Sequence, residues 1–419
     1  MTDGGSALPA RGPVTRASVT TVGIATACTA LCGYVVLYLA ARSLEPAGFS
    51  LFGVFWGAFG LVSGAANGLL QEATREVRAA RTRSAPEASR TRPMWVAVGV
   101  GIGAAALIGV TAPLWSARVF TEYQWLSVAL LSIGLGGFCL HATLLGMLAG
   151  TDRWTQYGSL MVTDAVTRVA VAVAAFVFGW GLAGFLWATV AGCLAWLIML
   201  VCSRGARAAA ALTCAGSART FLAGASHSVA AAGASAILVM GFPVLLQATS
   251  SELGAAGGVV ILAVTLTRAP LLVPLTAMQG NLIAHFVDQR DRRLGALLTP
   301  ALVVTAIGTI GVAAAAVAGP WLLHTAFGPE YQASGALLAW LTAAATAIAL
   351  LTLTGAAAVA AALHRAYAAG WIGATLAAGA LLLLPAALET RTVIALLCGP
   401  VVGIAVHMYA LARSRSMTA

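Results

Sequence analysis

Arg75-Glu76-Val77-Arg78-Ala79-Ala80-Arg81-Thr82-Arg83, followed by Arg90 and Arg92, lies between two apolar runs that are each long enough to cross a bilayer. The next polar connection, around Phe120 to Gln124, carries Arg118 alone. Working outward in both directions, the alternation continues. Arg153, then Arg204, Arg207 and Arg219, then Arg290, Arg292 and Arg293, then Arg365 mark every second connection, and Arg11, Arg16, Arg413 and Arg415 mark the ends. Of 23 basic residues, 18 fall on this set, 3 (Arg42, Arg118, Arg391) on the other, and 2 (Arg168, Arg268) inside apolar runs. Positive charge stays cytoplasmic during insertion, so the pattern predicts a multi-pass membrane protein with both termini inside.

Composition agrees. The chain is 60% hydrophobic and 9% charged, with mean hydropathy +0.93, whereas a soluble surface must be largely polar. Apolar runs of about 20 residues fit helices, because barrel strands would alternate over about 10. The expected fold is all-α, with about 12 transmembrane helices. They read as 18–40, 49–70, 94–114, 125–148, 158–178, 181–201, 220–245, 256–286, 296–318, 333–360, 367–387 and 391–411.

The two halves echo each other. Pro113, Phe120, Glu122, Tyr123 and Gln124 recur as Pro320, Phe327, Glu330, Tyr331 and Gln332, a shift of 207 or 208 positions. The turn Leu44-Glu45-Pro46-Ala47-Gly48 has a looser echo at 252–257. Six spans per half preserve orientation, so the expectation is two six-helix lobes related by a pseudo-two-fold axis along the membrane normal. That architecture suits alternating access about a site at the lobe interface. The lobes are placed at 1–202 and 220–419, with 203–219 as a cytoplasmic linker.

Several classes are excluded. All 23 basic residues are arginine, and a chain without lysine has neither a Walker A phosphate loop nor a Schiff-base nucleophile. Any transport would be driven by a gradient, with H+ or Na+ as the candidate coupling ion, by the substrate or by a partner, and no organic cofactor is expected. The net charge of +10 is accounted for by loops beside anionic lipid and does not call for nucleic acid. Cys28, Cys32, Cys139, Cys193, Cys202, Cys214 and Cys398 suggest neither disulfides nor a metal site. The polar start leading into a full-length span reads as an uncleaved first helix rather than a signal peptide.

Ionisable groups at membrane depth are the natural candidates for function. Arg268 lies on the order of 15 Å into its span. Pro270 and Pro274 follow it, and each removes a backbone donor, so a discontinuous helix is expected there. Gln279, Asn281 and His285 keep that span polar. Asp164 and Arg168 form an i,i+4 pair with the acid first, the favourable order. The pair reads either as structural or as an anion ligand with its internal competitor. His141 and His227 read as packed core residues, and Asn67 and Gln71 as polar glue between helices or cavity lining. His324, His364 and His407 lie near membrane edges and carry little signal. Deep arginines without a free carboxylate suit an anionic headgroup, since guanidinium binds phosphate in a forked geometry.

The stretch Ala41-Arg42-Ser43-Leu44-Glu45-Pro46-Ala47-Gly48-Phe49-Ser50, the echo at 252–257, the run Phe327 to Tyr331 and the Arg268-Ala269-Pro270 step resemble bacterial polysaccharide flippases. That family belongs to the multidrug, oligosaccharidyl-lipid and polysaccharide exporter superfamily. Ser50 departs from the glycine frequent there, and 12 spans rather than 14 leaves the subfamily open. The resemblance implies a transporter rather than an enzyme, moving a polyprenyl-diphosphate-linked saccharide to the outer leaflet of the bacterial cytoplasmic membrane. Membrane lipids and a polysaccharide polymerase or glycosyltransferases would be its partners, and Arg268 falls where members place a cavity arginine. Three rivals remain: a gradient-driven drug or cation exporter leaning on Asp164, a membrane-embedded enzyme on the same lipids, and a non-transporting scaffold. The connections are too short for a catalytic domain.

Overall fold

A computed structural model describes residues 16–80, 90–289 and 293–416, except for the side chains at 16–19, 277, 279–281, 284, 293–294 and 415–416. Much of the arginine-rich connection quoted above, including Arg81 and Arg83, lies outside the described residues.

The first element, α1 (Arg16–Ala80), is two spans joined without a gap. The joint is Glu45, at φ 52° and ψ 169°. Pro46 cannot donate a backbone hydrogen bond and its ring disfavours helical backbone at the preceding residue, so the helix turns at that point. Next come α2 (Pro93–Val119), α3 (Gln124–Gly150) and α4 (Trp154–Val177). Then α5 (Gly181–Ala191) passes through a 3-10 turn at Gly192–Leu194 into α6 (Ala195–Cys202). The expected linker holds α7 (Arg204–Ala210), capped by Ser203, whose side chain accepts from the Ala206 amide.

The second half runs α8 (Ala218–Val239), α9 (Phe242–Ala248), α10 (Gly254–Ala277), α11 (Gln279–Asp288), α12 (Arg293–Phe327), α13 (Gly335–Ala360), α14 (His364–Leu381) and α15 (Leu388–Ser416). Three pairs, α5 with α6, α8 with α9 and α10 with α11, each make one interrupted span. Counting α1 as two, the fold has twelve spans in two six-helix lobes. Among the described residues, ten helices are long and apolar enough to cross a membrane; α1 supplies two spans, and the shorter α14 completes the set. Large apolar side chains point outward, such as Leu114 at 87% exposure and Val317 at 84%, as a lipid-facing shell requires.

A two-strand pair, β1 (Arg90–Thr91) with β2 (Cys214–Ala215), ties the connection after α1 to the linker between lobes. The Thr91 hydroxyl donates to the Gly216 carbonyl at 2.7 Å.

The lobes meet where α1, after its kink, runs along α8, α9 and α10. The contact surface is a ladder of Gly53, Gly57, Gly60, Gly64 and Gly68, which face Ile261, Pro243, Met240, Ala236 and the Val229 backbone in turn. Small residues let helix backbones approach closely where lipid supplies no hydrophobic drive. At the arginine-poor face the junction is shut. There the Tyr331 hydroxyl donates to the Ala41 carbonyl at 3.0 Å, and Gln247 Nε2 donates to the Arg118 carbonyl at 3.3 Å. A Cβ on Gly258 would overlap the carbonyl oxygen of Pro46. Toward the arginine-rich face α1 stays against α8, with Gly68 on the Val229 backbone, while other helices favour their own lobes. There α11 packs on α13 and α12, and the first half of α1 packs on α4, where Gly158 meets Ala25 and Thr21.

The internal echo occupies equivalent corners of the two lobes without equivalent roles. Tyr331 is 1% exposed and bridges the lobes, whereas Tyr123 is 52% exposed.

Candidate functional site

Two arginines sit at membrane depth, and each closes a break in a neighbouring helix. In the N-terminal lobe, the 3-10 turn at Gly192–Leu194 interrupts the i to i−4 hydrogen-bond ladder of its span. Arg168 of α4 reaches it, with Nη1 donating to the Thr189 carbonyl at 2.7 Å. The rest of the guanidinium is held by Asp164 one turn earlier, Nε to Oδ2 and Nη2 to Oδ1, both at 3.1 Å. Its Cζ lies 5.2 Å from the ring centre of Phe59 on α1. A side chain on Gly192 would overlap the Asp164 carboxylate, so only glycine admits this approach. His141 of α3 is 3% exposed, stacks on Phe138 and lies within electrostatic reach of both charges, and its Nδ1 has no hydrogen-bond partner.

In the C-terminal lobe, α8 stops at Val239 and α9 resumes at Phe242. Carbonyls at a helix C-terminus lack donors and carry partial negative charge, which a cation complements. Arg268 of α10, 8% exposed, supplies that cation. Its Nη1 donates to the Val239 carbonyl at 3.0 Å, with the Leu238 carbonyl at 3.5 Å, and its Cζ lies 5.4 Å from the Phe242 ring centre. Nη2 is buried and has no partner, and among the described residues no carboxylate pairs with Arg268. The two guanidiniums therefore differ. Arg168 is neutralised and its donors are engaged, while Arg268 keeps an uncompensated charge and an unengaged N–H edge.

Asp164 and Arg168 are thus brought together, and Arg268 is held separately by its own lobe. Asn67 is half-buried on α1, between the ladder positions Gly64 and Gly68. Gln279 begins α11, and its side chain lies outside the described residues. The expected break at Pro270 and Pro274 is corrected: α10 runs through both prolines, which are exposed, and ends at Ala277. The interruption falls at Met278, whose amide still bonds the Pro274 carbonyl at 3.0 Å. Each proline deletes one backbone donor, and a span of this length keeps enough of its remaining ladder to stay helical.

Sequence reasoning missed Glu72. It is 1% exposed at the inner end of the glycine ladder, paired with Arg75 at 2.6 Å and pressed against Gly224 of α8. Its position four residues beyond Gly68 was the available signal. Between the lobes at the arginine-poor face, Ser50, Thr121, Glu122, Gln247 and Glu252 help line a cavity of about 210 Å³.

No family model matches the chain. It is 68% identical over 411 residues to the uncharacterized protein Rv3630 of Mycobacterium tuberculosis (strain ATCC 25618 / H37Rv), covering 98% of this chain and 95% of that one. It is 65% identical over 413 residues to the uncharacterized protein Rv1510 of the same strain, covering 99% and 96%. Among solved structures, it superposes on an inward-facing multidrug resistance MATE family transporter of the MOP superfamily, with TM-score 0.68, 14% identity, and 95% and 100% of the two chains covered. An outward-facing MATE family transporter gives 0.60 at 14% identity, covering 94% and 96%. A MOP superfamily transporter from Pyrococcus furiosus, described by the reverse polarity of its binding pocket, gives 0.62 at 13% identity, covering 94% and 95%. The chain has the fold of these proteins.

Proposed function

We propose a transport function for this chain, which belongs to the same family as the mycobacterial proteins Rv3630 and Rv1510 and has the fold of MATE transporters. It is an alternating-access exporter that carries a polyprenyl-diphosphate-linked saccharide from the inner to the outer leaflet of the cytoplasmic membrane. The observation that carries this reading is Arg268, a mid-membrane guanidinium with no counter-ion among the described residues and a buried, unpartnered Nη2. An unpaired charge at that depth is costly, and an anionic ligand relieves the cost.

The seal at the arginine-poor face, together with α11 and the first half of α1 packing within their own lobes toward the arginine-rich one, supports an inward-facing state. So does the better superposition on the inward-facing relative of the fold, 0.68 against 0.60. With the arginine-rich face cytoplasmic, a diphosphate enters from inside and meets Nη2 of Arg268, while the prenyl tail stays in the bilayer. Arg168 is the second ligand and exchanges Asp164 for a phosphate oxygen. Opening outward then breaks the Tyr331 to Ala41 bond. No Walker lysine exists to bind ATP, so a coupling ion supplies the energy, and glycosyl-transferring enzymes supply the substrate.

A cation exporter leaning on Asp164 is the second reading. Both Asp164 oxygens are already engaged by Arg168, which leaves a cationic drug no free carboxylate there. The test is reconstitution into vesicles with a fluorescent heptaprenyl-diphosphate disaccharide, followed by chemical quenching from outside. Transbilayer movement of that lipid supports the proposal. Saturable dye-cation efflux without lipid movement selects the rival.

A further inference from the structure

His407 belongs to no part of the site above, yet it is enclosed completely, at 0% exposure, where α13, α14 and α15 meet. Its Nε2 lies 3.2 Å from the Tyr367 carbonyl oxygen and its Nδ1 lies 3.1 Å from the Thr354 hydroxyl. The ring stacks on Tyr367, 6.1 Å between centres with planes 5° apart. Gly370 makes room for it, since a Cβ there would overlap Nε2.

A carbonyl oxygen only accepts, so Nε2 carries a hydrogen in every protonation state. Nδ1 is different, because Thr354 is a two-way partner. The Thr354 hydroxyl also lies 3.0 Å from the Leu351 carbonyl. With a neutral ring, Thr354 donates to Nδ1. With a protonated ring, Nδ1–H donates to Thr354, and the hydroxyl turns its hydrogen to Leu351. Either state satisfies both ring nitrogens without moving a heavy atom. The Tyr367 ring face and two carbonyl dipoles receive the positive charge. Tyr367 is the titratable group against the ring. From α13 the polar group is Thr354, α10 brings no titratable side chain to it, and among the described residues no carboxylate or guanidinium acts on it.

We propose that His407 is the proton-binding site through which a proton gradient drives the cycle. This rests on the transport reading above and adds its coupling ion. Because the ring is fully enclosed, a proton enters or leaves only when the three helices part, which ties exchange to a conformational change. The outlet is α8. The Tyr367 hydroxyl lies beside Ser235, and the next residue, Ala236, faces Gly64 at the lobe junction. Charge on His407 thus acts on the helix that slides along α1.

Two measurements decide it. In vesicles, His407→Gln should lose about tenfold or more of the accumulation of fluorescent heptaprenyl-diphosphate disaccharide driven by a pH gradient, while keeping gradient-free exchange of that lipid within about twofold. Equal gradient-driven accumulation by variant and wild type overturns the proposal. In wild-type protein with ¹⁵N-labelled histidine in nanodiscs, the His407 signal, assigned by its loss in His407→Gln, should pass from an Nε2–H tautomer to a doubly protonated ring between about pH 8 and pH 5. A ring that keeps one protonation state throughout that range overturns the proposal. A ring that titrates in a protein that moves no lipid supports the proton site and defeats the transport reading instead.

Discussion

The hydroxyl of Tyr331, in the C-terminal lobe, donates to the backbone carbonyl of Ala41, in the N-terminal lobe, at 3.0 Å. Phe49 meets the same tyrosine edge-on, with ring centres 6.1 Å apart. Burial pushes the Tyr331 phenol up from its ordinary range, with Glu330 and Glu45 adding to the effect, so it remains a donor at any physiological pH. Removing a buried hydrogen bond costs about 1 kcal/mol, or roughly a fivefold shift in a two-state equilibrium. Tyr331→Phe should raise the population with separated lobes at this face by about that factor. Spin labels at Thr121→Cys and Ser251→Cys, in a background without the native cysteines, would report it as a longer distance component. An unchanged distance distribution removes Tyr331 from the closure.

Close backbone approach at the same face gives a second test. Gly258→Ala places a methyl against the Pro46 carbonyl, and overpacking of this kind costs about 1–3 kcal/mol. Gly99→Ala meets open space and gains helix propensity, so it should be neutral or slightly stabilising. Thermal unfolding of both variants in detergent checks the contrast, and equal melting temperatures would contradict it.

The Asp164–Arg168 pair should behave as a unit. Side chains at 12% and 15% exposure are well shielded, and removing one partner of such a pair costs about 3 kcal/mol or more. Asp164→Asn and Arg168→Met should each destabilise strongly. The double variant Asp164→Leu with Arg168→Met should recover much of that loss. Additive losses in the cycle would show two independent groups.

Outside the spans, Cys214 in β2 is predicted to be inert. Burial, then Glu76 and Glu72, push its thiol up to about 12. Only the thiolate reacts, so at pH 8 about one part in ten thousand is competent. Maleimide should label the exposed Cys202 and leave Cys214 unmodified until the protein unfolds. Rapid labelling of Cys214 in the folded protein would mean that the β1–β2 pair opens readily.

The spans and the two lobes were legible because insertion and helix geometry act locally: arginine spacing and apolar run length suffice. Asp164–Arg168 was legible for the same reason, being one turn of one helix. What escaped depends on contacts far apart in the chain. The breaks lie at Gly192–Leu194 and at Met240–Gly241, where arginines of neighbouring helices supply substitute partners, and at Met278, and not at Pro270 or Pro274, where the ladder loses single donors. His407 looked like a residue at a membrane edge because its partners Thr354 and Tyr367 are 53 and 40 positions away. The depth of Arg268 is a local property of its span, but its partner carbonyls, those of Leu238 and Val239, belong to α8 and not to its own helix.

The central claim is that the unengaged edge of Arg268 receives an anionic headgroup. Binding of heptaprenyl diphosphate to the purified protein, compared between wild type and Arg268→Met, tests this most directly. A charge-assisted hydrogen bond contributes about 1.5–3 kcal/mol, so the variant should bind roughly 10- to 100-fold more weakly, with Arg268→Lys in between. Equal affinity of the wild type and the methionine variant, with both correctly folded, would contradict the account.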